Sequence, residues 1–100
     1  MMNIKLINRG QEGELVLEGR LDTLTAPEAE EVFNQTAERF DKVILNMRDL
    51  EYVSSAGLRT LKRLHMAMKK KNGNLVLTNV RKMVMEVFEM TGFAGLLKFE

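Results

Sequence analysis

Two adjacent hydroxyls, Ser54 and Ser55, stand just ahead of a stretch in which Leu58, Leu61, Leu64, His65 and Met68 recur at helical spacing. A serine in that place is first of all an N-cap, its oxygen accepting a hydrogen bond from a free helix N–H. The same place also suits phosphorylation, because a phosphate there would meet the positive end of the helix dipole and the free N–H groups. The helix would survive the modification. The added charge, about −1.5 to −2, would instead repel an acidic or apolar partner. Gly57 falls in the first turn, where glycine costs about 1 kcal/mol relative to alanine. Either the helix packs tightly on a strand there, or the bare backbone lets a partner or kinase approach. Further along, at about 100° per residue, Arg59, Lys62, Arg63, Met66 and Lys70 share the face opposite the apolar one. A purely basic face would be an ordinary solvated one. A methionine within it suits an adaptable interface for an acidic partner.

A second group of polar side chains, Asp22, Thr23 and Thr25, lies in an earlier loop. Asp22 has no histidine or second carboxylate at a fixed spacing. It either closes the loop through local backbone bonds or orients a Mg²⁺, a hydroxyl or a partner amide. Thr25 reads as an N-cap, with Glu28 three residues on completing a capping box and Pro27 tolerated in the first turn. The chain has no cysteine and a single histidine, so thiolate chemistry, disulfides and cysteine- or histidine-rich metal sites are excluded. His65 reads as a packed, hydrogen-bonded residue at the edge of the apolar stripe. Phosphate-binding glycine loops, zinc patterns and nucleophile elbows are absent. A small nucleotide hydrolase could be imagined around Asp22, Thr25, Ser54 and Ser55, but no motif supplies a base. No catalytic residue, metal ligand or cofactor site is assigned, and an enzyme is not expected.

The elements that must position these groups follow from hydrophobic periodicity. Asn3–Asn8 and Glu14–Glu18 alternate polar and apolar residues around Gly10 and Gly13, which predicts a hairpin. Ala29, Val32, Phe33, Thr36, Ala37 and Phe40 predict a helix over 26–39. The run Val43–Ile44–Leu45 within Lys42–Met47 predicts a strand covered on both faces, and Arg48–Glu51 reads as turn-like. A helix over 56–71 ends at Asn72–Gly73. Leu75–Thr78 is a further buried strand, a helix over 80–90 follows, and the tail Leu96–Phe99 offers an edge strand. The order β-β-α-β-α-β-α-β predicts a single α/β domain over 1–100, with a mixed, mostly parallel sheet of about four to five strands and three to four helices. Ligands of such sheets bind beyond the carboxyl ends of the strands. The loop with Asp22 and the loop with Ser54–Ser55 both leave such ends, so they converge if their strands are neighbours. Fifteen basic against 14 acidic residues give a formal net charge of +1, which argues against a general nucleic-acid binder. No apolar run is long enough for membrane insertion, and no secretory signal is read, so a cytoplasmic monomer is the expectation.

The segment Tyr52–Val53–Ser54–Ser55–Ala56–Gly57–Leu58–Arg59 resembles the signature of STAS domains, the anti-sigma factor antagonist family. Gly19–Arg20–Leu21–Asp22, Val43–Met47, Gly73–Leu77 and Phe88–Gly92 resemble further family segments in the same order, so the likeness spans essentially the whole chain. The resemblance implies an anti-sigma factor antagonist. Such a protein binds an anti-sigma factor serine kinase while unphosphorylated, frees the sigma factor, and is switched off by phosphorylation and restored by a phosphatase. By motif position the phosphoacceptor maps onto Ser55, with Ser54 second, because many members carry aspartate where this chain has Ser54. Asp22 maps onto the family aspartate beside the switch, and Thr25 and Asn46 map onto the same rim less closely. The expected partner-binding set is therefore Asp22, Thr25, Ser54, Ala56, Gly57, Arg59, Lys62, Arg63 and Met66. The alternative is a STAS adaptor that is never phosphorylated and serves a stress-signalling or transport complex.

Overall fold

The computed structural model describes residues 2–100. Strands β1 (Met2–Arg9) and β2 (Glu12–Leu21) form an antiparallel hairpin, its turn made by Gly10, at φ +80°, and Gln11. Helix α1 (Ala26–Arg39), β3 (Lys42–Val53), α2 (Ser55–Lys70), β4 (Asn74–Thr78), α3 (Lys82–Met90), a 3-10 turn (Phe93–Gly95) and β5 (Lys98–Phe99) complete the chain. The sheet runs β1-β2-β3-β4-β5, and every pair after the first is parallel. Each crossover therefore moves one strand further in the same direction. Right-handed crossovers of that kind place all three helices on one face.

Burial agrees with a one-sided sheet. Leu15, Leu17, Val43, Leu45 and Met47 are buried and join one cluster with Phe33 of α1, Leu61 and Leu64 of α2, and Phe88 of α3. Val16, Ile44 and Asn46, which point the other way, are only half-buried. The apolar run 43–45 is thus covered on one face, not on both as its composition suggested. β4 does bury Leu75, Val76 and Leu77.

The segment 48–51 is strand, not turn. Between Val16↔Asn46 and Glu18↔Asp49, and again between Gly19↔Leu50 and Arg20↔Tyr52, β3 carries one more residue than β2. These bulges break the period of two. The buried positions of β3 become Met47, Leu50 and Val53, three apart, and that spacing does not read as a strand. Gly19 sits at the second bulge with φ +106°, which a side chain would resist. The extra length carries the carboxyl end of β3 level with that of β2, where Leu21 pairs with Val53. No helix among the described residues is long and apolar enough to cross a membrane.

Candidate functional site at the carboxyl ends of β2 and β3

Because Leu21 and Val53 are paired, the loops that leave them are adjacent. The Ser54 N–H donates to the Leu21 carbonyl at 2.9 Å, tying the start of α2 to the end of β2. Gly57 tightens this junction. A Cβ there would lie 2.7 Å from the Leu21 carbonyl oxygen and 2.8 Å from Leu21 Cγ. Gly57 is buried against β2, so of its two readings the close approach of helix to strand is the one the packing supports. Ala56 is half-buried beside it.

The two serines have different surroundings. Ser54 is the N-cap of α2, half-buried, and its Oγ accepts the Gly57 N–H at 3.3 Å. Ser55 is the first residue of the helix. It is exposed, and its hydroxyl makes no hydrogen bond among the described residues. Helical geometry places Arg59, Lys62 and Met66 on the same side of α2 as Ser55. All three are exposed, Met66 at 53%. Met66 lies about 16 Å along the helix from Ser55, on the flank and not on the rim. Arg63 is committed elsewhere, its Nη1 lying 2.8 Å from Glu30 Oε1 in a link between α2 and α1.

In the β2–α1 loop the capping box does not form. Thr25 occupies the N-cap position with helical backbone angles and no side-chain cap bond. Its hydroxyl points inward instead, donating to the Arg20 carbonyl at 2.7 Å and accepting the Asp22 N–H at 2.9 Å. Thr25 is 8% exposed, so it shapes the loop and presents little surface. Asp22 closes the turn that leads into the helix. Its Oδ1 accepts the N–H groups of Leu24 at 3.0 Å and Thr25 at 3.2 Å. Its Oδ2 faces Arg20 Nε at 3.6 Å. Burial alone would raise the Asp22 pKa. The N–H groups of Thr25 and Leu24, then the Thr25 hydroxyl and the Arg20 guanidinium, outweigh it and hold the carboxyl below its ordinary 3.8.

Two features of the rim are not among the expected contacts. Leu24 is 90% exposed between these residues. Its signal in the sequence is an apolar residue inside an otherwise polar loop. The Arg20 guanidinium lies 4.3 Å over the Tyr52 ring, a cross-strand pair that only the bulge register brings opposite. Asn46, mapped onto the rim by resemblance, lies away from it, and His65, read as packed and hydrogen-bonded, is packed only in part. Asn46 bonds Glu14 Oε2 at 3.0 Å and accepts from Asn79 at 3.1 Å on the uncovered face of the sheet. His65 is half-buried, makes no hydrogen bond among the described residues, and lines a crevice with Lys69 and Lys98.

The STAS domain family model aligns with residues 5–100. The chain belongs to the STAS domain family. This STAS domain is 36% identical over 72 residues to BtrV of Bordetella bronchiseptica, a candidate anti-sigma factor antagonist, across 68% of this chain but only 62% of that protein's length. It is 29% identical over 97 residues to the anti-sigma-B factor antagonist of Staphylococcus epidermidis, covering 96% of this chain and 90% of that one. SpoIIAA, an anti-sigma factor antagonist, superimposes in its unphosphorylated form with a TM-score of 0.83 over 98% of this chain and 88% of its own, at 17% identity. Its phosphorylated form, from Bacillus, does so with a TM-score of 0.75 at 16% identity, over 100% of this chain and 91% of its own. At that identity SpoIIAA speaks for the fold alone, a single α/β domain with a five-stranded mixed sheet and three helices.

Proposed function

We propose that this STAS domain is an anti-sigma factor antagonist. It docks through the rim at the carboxyl ends of β2 and β3 onto an anti-sigma factor serine kinase, and phosphorylation of Ser55 releases it. It performs no chemistry itself: the Ser55 hydroxyl accepts a phosphoryl group from the kinase's ATP, and a phosphatase reverses the step. The observation that carries the reading is the contrast between the two serines. Ser54 has its oxygen bound to the first turn of α2, while Ser55 stands exposed with its hydroxyl free among the described residues. Modifying Ser55 leaves the cap intact, so the added charge changes the surface and not the fold. The names borne by the Bordetella and Staphylococcus relatives support the same reading.

The test is to incubate the protein with the candidate kinase and ATP and to map phosphate by mass spectrometry. One phosphate on Ser55 is expected, retained in Ser54→Ala and lost in Ser55→Ala. Labelling of Ser54 instead would overturn the assignment. Stable kinase-free complexes with no labelling at all would favour the constitutive adaptor.

A further inference from the structure

We infer that Arg59 receives the phosphate of phosphorylated Ser55 within the same helix, so that the modification withdraws a cation from the docking surface as well as adding charge to it. This rests on the proposed function and deepens its regulation. Helix α2 holds five basic residues, Arg59, Lys62, Arg63, Lys69 and Lys70, and no acidic one. The chain as a whole has 15 basic and 14 acidic residues, so everything outside α2, with 10 against 14, is acidic. An ordinary solvated helix mixes its charges and pairs them three or four residues apart. The helical neighbours of Arg59 are Ser55, Ala56, Lys62 and Arg63, which offer it no anion and two like charges. Arg63 escapes through Glu30 of α1. Arg59 is exposed and makes no ion pair or hydrogen bond among the described residues.

Of those four neighbours, Ser55 alone can become an anion. It stands four residues ahead of Arg59, and acid before base is the order that pairs best. Long helical side chains lean back toward the amino end, which directs Arg59 over the turn that Ser55 begins. Leu58, three residues from Ser55, is buried and apolar. Lys62 is two turns from Ser55, about 10 Å along the axis and beyond direct contact. Arg20, on the adjoining loop, already faces Asp22 and lies over the Tyr52 ring. A phosphate on Ser55 therefore meets one uncommitted guanidinium, whose planar fork suits its oxygens. The pair relieves the repulsion of Arg59 by Lys62 and Arg63. It also takes back a cation that the unmodified domain holds out to its partner.

Phosphorus NMR of the domain made with phosphoserine at position 55 tests the pair without any partner. A guanidinium in contact favours the dianion. The second pKa of the phosphate, ordinarily about 6, is therefore expected to lie about 0.3 or more lower in the parent than in Arg59→Gln. Arg59→Lys keeps the charge without the fork and should fall between the two. Lys62→Gln should stay within about 0.1 of the parent, because that charge is distant and screened. Calorimetry with the kinase that labels Ser55 then reads the switch. Arg59→Gln is expected to weaken binding of the unmodified form about two- to fivefold, and phosphorylation should cost this variant less than it costs the parent by a similar factor. Equal phosphate pKa values in the parent and Arg59→Gln, or an equal change from Lys62→Gln, overturn the pair. The same fold-loss on phosphorylation with and without Arg59 overturns the withdrawal. If phosphorylation still abolishes binding in those cases, the proposed function stands without this refinement. A kinase that does not bind the unmodified parent removes the proposed function itself, while the phosphorus titration still decides the pair. Circular dichroism melting of each variant separates lost contact from lost fold.

Discussion

Replacing Gly57 with alanine opposes two physical effects, and the structure says which wins. Helix propensity alone favours alanine by up to about 1 kcal/mol. Against this, the new Cβ would sit 2.7 Å from the Leu21 carbonyl oxygen, 2.8 Å from Leu21 Cγ and 3.1 Å from Val53 Cγ2. The first of these is backbone at the end of a paired strand and cannot rotate away. The same carbonyl accepts the Ser54 N–H, so pushing α2 outward also stretches that bond. Overpacking of this kind costs about 1–3 kcal/mol. The expected outcome is a net loss of about 1–2 kcal/mol, seen in a domain of this size as a fall in melting temperature of about 4–16 °C. Urea unfolding followed by circular dichroism, with the slope unchanged, is the direct assay. An equal or higher midpoint would mean that α2 does not rest on Leu21 as described, and the junction between the two loops would have to be redrawn.

Other substitutions separate the parts of the site. Ser54→Ala removes the N-cap of α2 and should cost about 1 kcal/mol, whereas Ser55→Ala, whose hydroxyl has no partner among the described residues, should leave the urea midpoint unchanged. Glu14, bonded to Arg9 and then Asn46, has its pKa held below its ordinary 4.5 despite partial burial. A carboxylate depressed in the folded state stabilises it at pH above 4.5, and this is lost as pH falls below 4.5 through the folded value. Stability of the parent should therefore fall more steeply below pH 4.5 than that of Glu14→Gln, as followed by urea midpoints across an acid series. Identical acid limbs would show that the network on the open face contributes nothing.

The sequence reading succeeded where one periodicity ruled a whole element. The helix over 26–39 matches α1 end to end, because Ala29, Phe33 and Ala37 fall on one side and the ends carry Pro27 and Phe40. The rim itself was also legible, since Ser54–Ser55 ahead of an amphipathic helix and Asp22 after a strand are local signals. What escaped reading depended on pairing between distant segments. The bulges of β3 are defined only against β2, so 48–51 looked like a turn. The one-sided cover of Ile44 depends on which way all three crossovers run. Thr25 carries every mark of an N-cap, yet its hydroxyl finds better partners at Arg20 and Asp22 once β2 is in place. Gly57 allowed two readings until Leu21 was seen beneath it.

The most direct measurement compares kinase binding by two forms of this STAS domain, one unmodified and one made with phosphoserine at position 55, by calorimetry under the same salt. Tight binding by the unmodified form and at least a hundredfold loss in the phosphorylated one, with superimposable circular dichroism spectra, is the expected result. Equal affinities, or a loss that comes with unfolding of α2, would contradict a switch that works by surface charge at an intact helix start.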